Sequence, residues 1–316
     1  MITGGSGLIG GRIANYLLKQ GHQIVIGSRN DIQTRVYLNM EAEIVQTNWN
    51  DKRELQKICS GVDVIIHTAG MNSQDCVIDP IGALKFNGLG TAKLLHAAID
   101  QNVSKFLYFS TAHVYTKNLV GIINEATCPI NLHPYATSHL AGENVVLAAN
   151  ESHLINGIVL RLSNGFGVPI HPMVNCWKLF VNNLCRQAVE TKRLVIRASG
   201  LTMRNFIPLK EICHAVDFII QSSTQQKSTQ NNAIINLGSN KSVTLLEMAI
   251  LVQSRCRLVL GFEPELIHGK QNFEKQTMEL DYCIDKLRKM GFESSMEMNQ
   301  EIDSLLIYCY TNFSKV

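Results

Sequence analysis

The sequence has no uninterrupted run of eighteen apolar residues, so nothing in it has the length of a membrane-spanning helix. No C-x-x-C pair occurs either: nine cysteines, at 59, 76, 128, 176, 185, 213, 256, 283 and 309, are scattered through 316 residues. An odd, unpaired set argues against a disulfide framework or a zinc site and for reduced thiols in a cytosolic enzyme. No metal is expected. Lysine and arginine never cluster and the formal net charge is only +3, which removes nucleic acid from the expected partners. Charged residues are scarce at 17% while apolar ones reach 46%, a globular balance and not a disordered one. Internal repeats are absent, and the polar stretch 221–232 reads as a surface loop. The chain begins in folded sequence and not in a signal peptide, although its first strand looks one or two residues short. A soluble, cytoplasmic protein is expected, long enough to bury a large core in one domain or two intimate ones.

What is present begins at residue 3. Thr3-Gly4-Gly5-Ser6-Gly7-Leu8-Ile9-Gly10 places glycines at 4, 7 and 10, after apolar Ile2 and before a helical pattern from 12 to 19. Strand, glycine turn and helix is the context in which such a motif carries meaning. Gly4 permits the tight turn, Gly7 lets backbone N–H groups approach a pyrophosphate, and Gly10 lets helix and strand pack closely. The helix N-terminus then faces the phosphates. Strand patterns at 23–26, 42–46, 62–67, 105–110 and 157–162 alternate with helical ones at 52–59, 83–101 and 135–149. Right-handed crossovers and a parallel sheet buried on both faces follow, which is a doubly wound α/β (Rossmann) fold. After Asn164 the texture changes to a turn-rich stretch, Asn164-Gly165-Phe166-Gly167-Val168-Pro169 and His171-Pro172. Residues 1–163 are therefore read as a nucleotide-binding domain. Residues 164–316 are read mainly as a smaller C-terminal α/β substrate-binding domain, with the segment 208–240 returning to the first. Beyond the boundary, helices are expected at 173–190, 209–222 and 244–254, strands near 194–197 and 233–237, and a helical region ending at Tyr310.

Several ordered motifs resemble one family. Thr3 to Gly10 matches T-G-x-x-G-x-x-G, His67-Thr68-Ala69-Gly70 resembles H-x-A-[AG], and Asn87-Gly88-Leu89-Gly90-Thr91 matches N-x-x-G-T. Phe109 to Tyr115 resembles the fifth-strand segment that supplies a catalytic Ser or Thr. Leu160-Arg161-Leu162-Ser163-Asn164 is similar to L-R-x-x-N, Arg204-Asn205-Phe206-Ile207 to R-D-[FY]-I, and Ile235-Asn236-Leu237-Gly238 to a late N-[IL]-G strand. The whole chain thus resembles the extended short-chain dehydrogenase/reductases, in particular the nucleotide-sugar epimerase/dehydratase group typified by UDP-glucose 4-epimerase.

That resemblance implies a nicotinamide dinucleotide held by Gly4, Gly7, Leu8, Ile9, Gly10, Asn48, Trp49, His67, Ala69, Gly70, Asn87, Ser110, Tyr135 and His139. NAD-binding relatives carry Asp at the end of the second strand, where this chain has Ser28 followed by Arg29. A carboxylate there repels a 2′-phosphate, whereas a hydroxyl and a guanidinium bind one. NADP(H) is therefore expected over NAD(H). The family's chemistry passes a proton through a tyrosine, with a Ser/Thr hydroxyl orienting the reacting oxygen and a lysine lowering the tyrosine pKa. Here the matching residues are Tyr135 and Thr111, but His139 stands in place of the lysine. Tyr135 and His139 are i, i+4 on one helix face, so both reach the same side. Three alternatives stay open: His139 substitutes as a neutral hydrogen-bonding group, the chemistry has moved elsewhere, or the site is degenerate.

His113 lies two residues after Thr111, where resembling 4,6-dehydratases carry an acid/base glutamate, and is a candidate acid/base. Ala112 breaks those enzymes' Asp-Glu pair. Asn164 and Arg204 match residues that contact a nucleotide diphosphate. The implied function is hydride transfer at a nucleotide-linked sugar, as a 4-keto reductase or an epimerase. The alternatives are a non-catalytic nucleotide-binding or regulatory homologue, and a reductase of a non-sugar carbonyl. A homodimer is expected through the helices at 83–101 and 135–149, with Leu95, Ala98, Leu140 and Val146 suited to core or interface equally.

Overall fold

We describe the protein from a computed structural model, which covers residues 1–29, 41–197, 200–222, 233–268, 278–295 and 298–314. Strands β1 (Ile2–Thr3), β2 (Val25–Ser28), β3 (Glu43–Gln46), β4 (Val64–His67) and β5 (Lys105–Thr111) follow in chain order. After β6 (Gly121–Ile123), which lies apart, β7 (Asn156–Leu162) rejoins them. β8 (Asn164–Phe166), β9 (Arg193–Ile196) and β10 (Met203–Pro208) lie outside the sheet, and β11 (Ile234–Leu237) completes it. The seven strands stand in the order β3-β2-β1-β4-β5-β7-β11, with every neighbouring pair parallel. This is the doubly wound sheet read from the sequence, and it explains why β5 is buried at all seven positions.

Alternation along β5 sends Leu107 and Phe109 to one face and Phe106 and Tyr108 to the other. The first face is covered by Ile13 and Leu17 of the helix Leu8–Lys19 and by Ile212 and Val216 of the helix Leu209–Gln221. The second is covered by Leu55, Leu94, Leu95, Ala98 and Val146. Leu95, Ala98 and Val146 are thus spent in the core, and of the four residues considered for an interface only Leu140 stays partly accessible. A separate core gathers Phe166 of β8 with Leu184, Cys185, Met248, Val252, Ile302 and Leu305 from the helices Phe180–Thr191, Leu245–Leu260 and Met298–Phe313.

Two local readings change. The turn-rich stretch after residue 163 contains a strand, because β8 pairs in parallel with Phe206–Pro208 and the Asn164 amide donates to the Asn205 carbonyl at 2.8 Å. The helix expected from 173 begins at Phe180, since the preceding residues form turns around Pro172, whose carbonyl accepts from the Trp177 indole at 2.8 Å. Most of the polar loop expected at 221–232 lies outside the described residues. The helix expected over 83–101 opens with a π-helical stretch, Leu84–Gly90, before Thr91–Asp100 continues as α.

Two buried charges fasten the halves. Lys105 Nζ donates to the carbonyls of Ile219 and Ile220 at 2.8 Å and of Ser222 at 3.2 Å, a cation at a helix C-terminus. Glu301, 4% exposed, accepts from the backbone N–H of Val168 at 3.1 Å and of Lys210 at 3.3 Å, and from the Arg12 guanidinium at 3.3 Å.

Candidate active site

The order of strands reverses between β1 and β4, and a cleft of about 780 Å³ opens beyond their carboxyl ends. Gly4, Gly7 and Leu8 form one wall, Ser28, Arg29 and Trp49 a second, and Thr68, Ala69 and Gly70 a third. Gly4 has φ +72°, and a Cβ there would sit 2.8 Å from the backbone nitrogen of Ala69. Only glycine lets the turn and the end of β4 approach so closely. The helix Leu8–Lys19 starts at Gly7 without any side-chain cap, leaving its first N–H groups for a ligand. Deeper in, the hydroxyl of Thr47 and the indole N–H of Trp49 are buried without a hydrogen-bond partner, and both residues line the cleft. Trp49 meets Phe86 edge-on at 5.2 Å, and the Arg29 guanidinium lies 5.9 Å from the Phe86 ring. An anion-accepting turn beside orphaned polar groups and aromatic rings fits a dinucleotide, the turn to its pyrophosphate and the far end to a base.

Several residues expected to touch a cofactor stand behind these walls. A Cβ on Gly10 would fall 2.5 Å from the Gly4 carbonyl, so Gly10 serves close packing, and Ile9 packs against the core. Asn48 is exposed and accepts from the Asn50 N–H at 3.1 Å, off the cleft wall. His67 is 1% exposed, with Nδ1 2.6 Å from the Thr3 hydroxyl and Nε2 3.0 Å from the Thr91 hydroxyl. Its ring nitrogens are spent on fastening β1 and β4 to the helix Thr91–Asp100. Asn87 is also buried: Oδ1 accepts from the Met71 N–H at 2.9 Å and Nδ2 donates to the Ser138 hydroxyl at 3.0 Å. Ser110 donates to the Glu143 carboxylate.

Around the carboxyl end of β5 the acid–base candidates meet. Thr111 ends the strand; its hydroxyl accepts from the His113 N–H at 3.1 Å and lies near enough to the Tyr135 phenol to favour the phenolate. Tyr135 sits in the first turn of the helix Pro134–Glu151, whose opening proline suits that position. One turn later the His139 ring meets the Tyr135 ring edge-on at 4.6 Å. Burial pushes the Tyr135 phenol up from its ordinary pKa, the nearby Thr111 hydroxyl opposing and the Cys76 thiol adding to the rise. His139 is 6% exposed, and burial brings its pKa down to about 4, so the imidazole is neutral. His113 is also pushed down, by burial first and then by the Arg204 and His133 charges. The Asn164 amide, by contrast, is engaged with backbone between β8 and β10.

Behind Thr111 lies a group that no motif marked as functional. Glu143 is fully buried and accepts from Arg161 Nη2 at 2.7 Å and Nε at 3.1 Å. The Arg161 guanidinium covers the Tyr115 ring at 4.6 Å, and the Tyr115 hydroxyl donates to Asn236 at 2.6 Å. The signal for Glu143 was in plain view: it is the single charged residue between 134 and 150. Among the described residues no group of three or more His, Cys, Asp or Glu is arranged to hold a metal. No helix among them is long and apolar enough to cross a membrane.

The model of the NAD dependent epimerase/dehydratase family matches residues 1–238. The chain belongs to this family. A "Putative UDP-glucose 4-epimerase" of Methanocaldococcus jannaschii is 23% identical over 317 residues, covering 99% of this chain and 98% of that one. Among solved structures, the UDP-N-acetylglucosamine 4-epimerase of Methanobrevibacter ruminantium with UDP-N-acetylmuramic acid superposes with a TM-score of 0.80 at 22% identity, over 98% of this chain and 97% of that one. The Bacillus cereus UDP-glucuronic acid 4-epimerase in complex with UDP-glucuronic acid and NAD gives 0.78 at 20% identity, over 98% of each chain. Both share the fold of this family member.

The two buried imidazoles set a pH dependence. Burial lowers His67 to about 3 and His139 to about 4, against about 6.5 in an unfolded chain. Between pH 6.5 and 4 the unfolded chain binds more protons, so stability falls as pH falls; above 6.5 both forms are neutral and the term vanishes. Urea unfolding from pH 7.5 to 5.5 is expected to lose up to about 1.4 kcal/mol per pH unit for each imidazole. His139→Gln should flatten that slope, and an unchanged slope would show that His139 is not held neutral.

Proposed function

We propose that this family member transfers hydride at a nucleotide-linked sugar, as a 4-keto reductase or an epimerase, with NADP(H) preferred. The observation carrying the reading is Tyr135 near Thr111 at the carboxyl end of β5, in edge-on contact at 4.6 Å with an imidazole that borders Gly70 of the cleft wall. A bound nicotinamide dinucleotide supplies the two-electron carrier. The raised pKa keeps the phenolic proton on Tyr135, so this residue acts as an acid toward a carbonyl oxygen that becomes a hydroxyl, and Thr111 orients that oxygen. His113 is a neutral acid/base candidate beside the sugar. Half-buried Arg204 offers a planar fork to the diphosphate.

Ser28, at the end of β2, and Arg29, next to it on the cleft rim, support NADP(H), although the family model is named for NAD and the Bacillus cereus structure contains NAD. A charge-assisted contact to a 2′-phosphate corresponds to roughly tenfold or more in affinity. Titration should find NADPH binding tighter than NADH by that factor, and Ser28→Asp should erase the difference; tighter NADH overturns the preference. A nucleotide-sugar panel read by thermal shift and then by turnover tests the substrate class. The second reading, a nucleotide-binding homologue without turnover, draws on the same raised Tyr135 pKa and is selected by shifts without reaction. Binding of NADPH with no response to any nucleotide-sugar selects a reductase of another carbonyl. The homodimer rests on family likeness, with Leu84 and Leu89 exposed on the relevant helix; a monomer in light scattering removes it.

A further inference from the structure

Tyr108 belongs to no motif, yet it is 1% exposed on the β5 face whose other large residue is Phe106. A buried phenol requires a hydrogen-bond partner. Its oxygen lies 3.1 Å from Nδ1 of His139, with the two rings 6.1 Å apart. A second acceptor, the His139 carbonyl, is 3.4 Å away, and the Thr91 hydroxyl also lies near the phenol. Burial holds the phenol well above its ordinary pKa, so the O–H is always there to give.

Gly142, three residues after His139 on the same helix face, makes this contact possible. A Cβ at 142 would stand 2.5 Å from the Tyr108 hydroxyl and 2.7 Å from the Asn87 carbonyl oxygen. That carbonyl accepts from the Thr91 hydroxyl at 2.6 Å and cannot easily retreat. The missing side chain is the hollow that the phenol fills. On the opposite edge of the imidazole, Cε1 and Nε2 face Gly70, 3.5 and 3.7 Å from where a Cβ would be. The ring therefore turns Nδ1 inward to the phenol and Nε2 outward to the cleft wall.

We propose that Tyr108, seated in the hollow left by Gly142, is a positioning residue: its O–H donates to Nδ1 of His139 and holds the imidazole as the Nε2–H tautomer, presenting a fixed donor past Gly70 to a ribose hydroxyl of the bound dinucleotide. The ribose part rests on the cofactor reading above; the tautomer does not. The device replaces a flexible ammonium with a neutral donor whose direction is set by packing. It supplies position and no charge, which agrees with a Tyr135 phenol that is raised, not lowered.

Histidine labelled with ¹⁵N reports the tautomer directly, the His139 signals being those lost in His139→Gln. The wild-type protein should show protonated Nε2 and bare Nδ1 at neutral pH. Tyr108→Phe, which keeps the ring, should admit the other tautomer and weaken NADPH binding roughly three- to tenfold, the worth of one neutral hydrogen bond. Gly142→Ala, which crowds the phenol without removing it, should produce the same two changes. A wild-type Nδ1–H tautomer overturns the proposal, as does a folded Tyr108→Phe with unchanged tautomer and affinity. Should both variants fail to fold, the wild-type tautomer decides alone. No readout depends on turnover: the expected tautomer in a protein that accepts no nucleotide-sugar removes the functional reading and leaves Tyr108 in its role, and the reverse result removes only Tyr108.

Discussion

Tyr135→Phe is expected to lower turnover of the accepted nucleotide-sugar by about 10²–10⁴-fold, with NADPH affinity and melting temperature nearly unchanged. The phenol lies near Thr111 and its ring contacts that of His139, so removing one oxygen deletes the proton path and little packing. Because His139 titrates at about 4, the wild-type rate should not fall above neutral pH through loss of an imidazolium. His139→Lys should keep or raise the rate at neutral pH, since a permanent cation one turn from Tyr135 depresses the phenol pKa. Rates measured from pH 5.5 to 9 decide both points. Unchanged turnover in Tyr135→Phe would falsify the catalytic assignment entirely.

The largest stability effect should come from a residue remote from any reacting atom. Glu143→Ala leaves the Arg161 guanidinium, 3% exposed, without its carboxylate, and removing one partner of a buried pair costs about 3–5 kcal/mol. Its Nη1 already has no acceptor, and the Tyr115 ring over the guanidinium is a weak substitute for a carboxylate. The urea midpoint should fall while the slope of the transition stays constant. Replacing both residues by methionine should recover much of the loss, because it removes the stranded charge along with its partner. A loss under about 1 kcal/mol in Glu143→Ala would mean that the ion pair does not anchor the helix to β5 and β7.

The sheet was legible because its strands are short apolar runs punctuated by helical patterns, and that rhythm needs no tertiary information. The glycine turn was legible for the same reason: Gly4, Gly7 and Leu8 are where their spacing puts them. Sequence order served less well for side chains with two possible destinations. His67 and Asn87 read as ligand contacts but turn inward, because Thr3, Thr91, Met71 and Ser138, distant in sequence, satisfy their polar atoms. Tyr108 was illegible altogether: a tyrosine in an apolar strand looks like core until the glycine opposite it is known. The strand Asn164–Phe166 was hidden by turn-forming residues, since what makes it a strand is β10, forty residues on.

Glu301 has a consequence for how the molecule breathes. Its carboxylate accepts hydrogen bonds from residues 12, 168 and 210, so the closing helix cannot detach without releasing all three. Arg12 lies in the helix that begins at the glycine turn, and Val168 precedes the segment at 171–175 that reaches the cleft. Local opening of the closing helix thus strands a guanidinium beside the glycine turn and frees a cleft-lining segment in one event. In hydrogen exchange, the amides of Val168 and Lys210 should open with the free energy of the closing helix instead of that of ordinary surface loops. Faster, independent exchange at either amide would show that the carboxylate does not couple them. If they do open together, the closing helix and the mouth of the cleft form one cooperative unit.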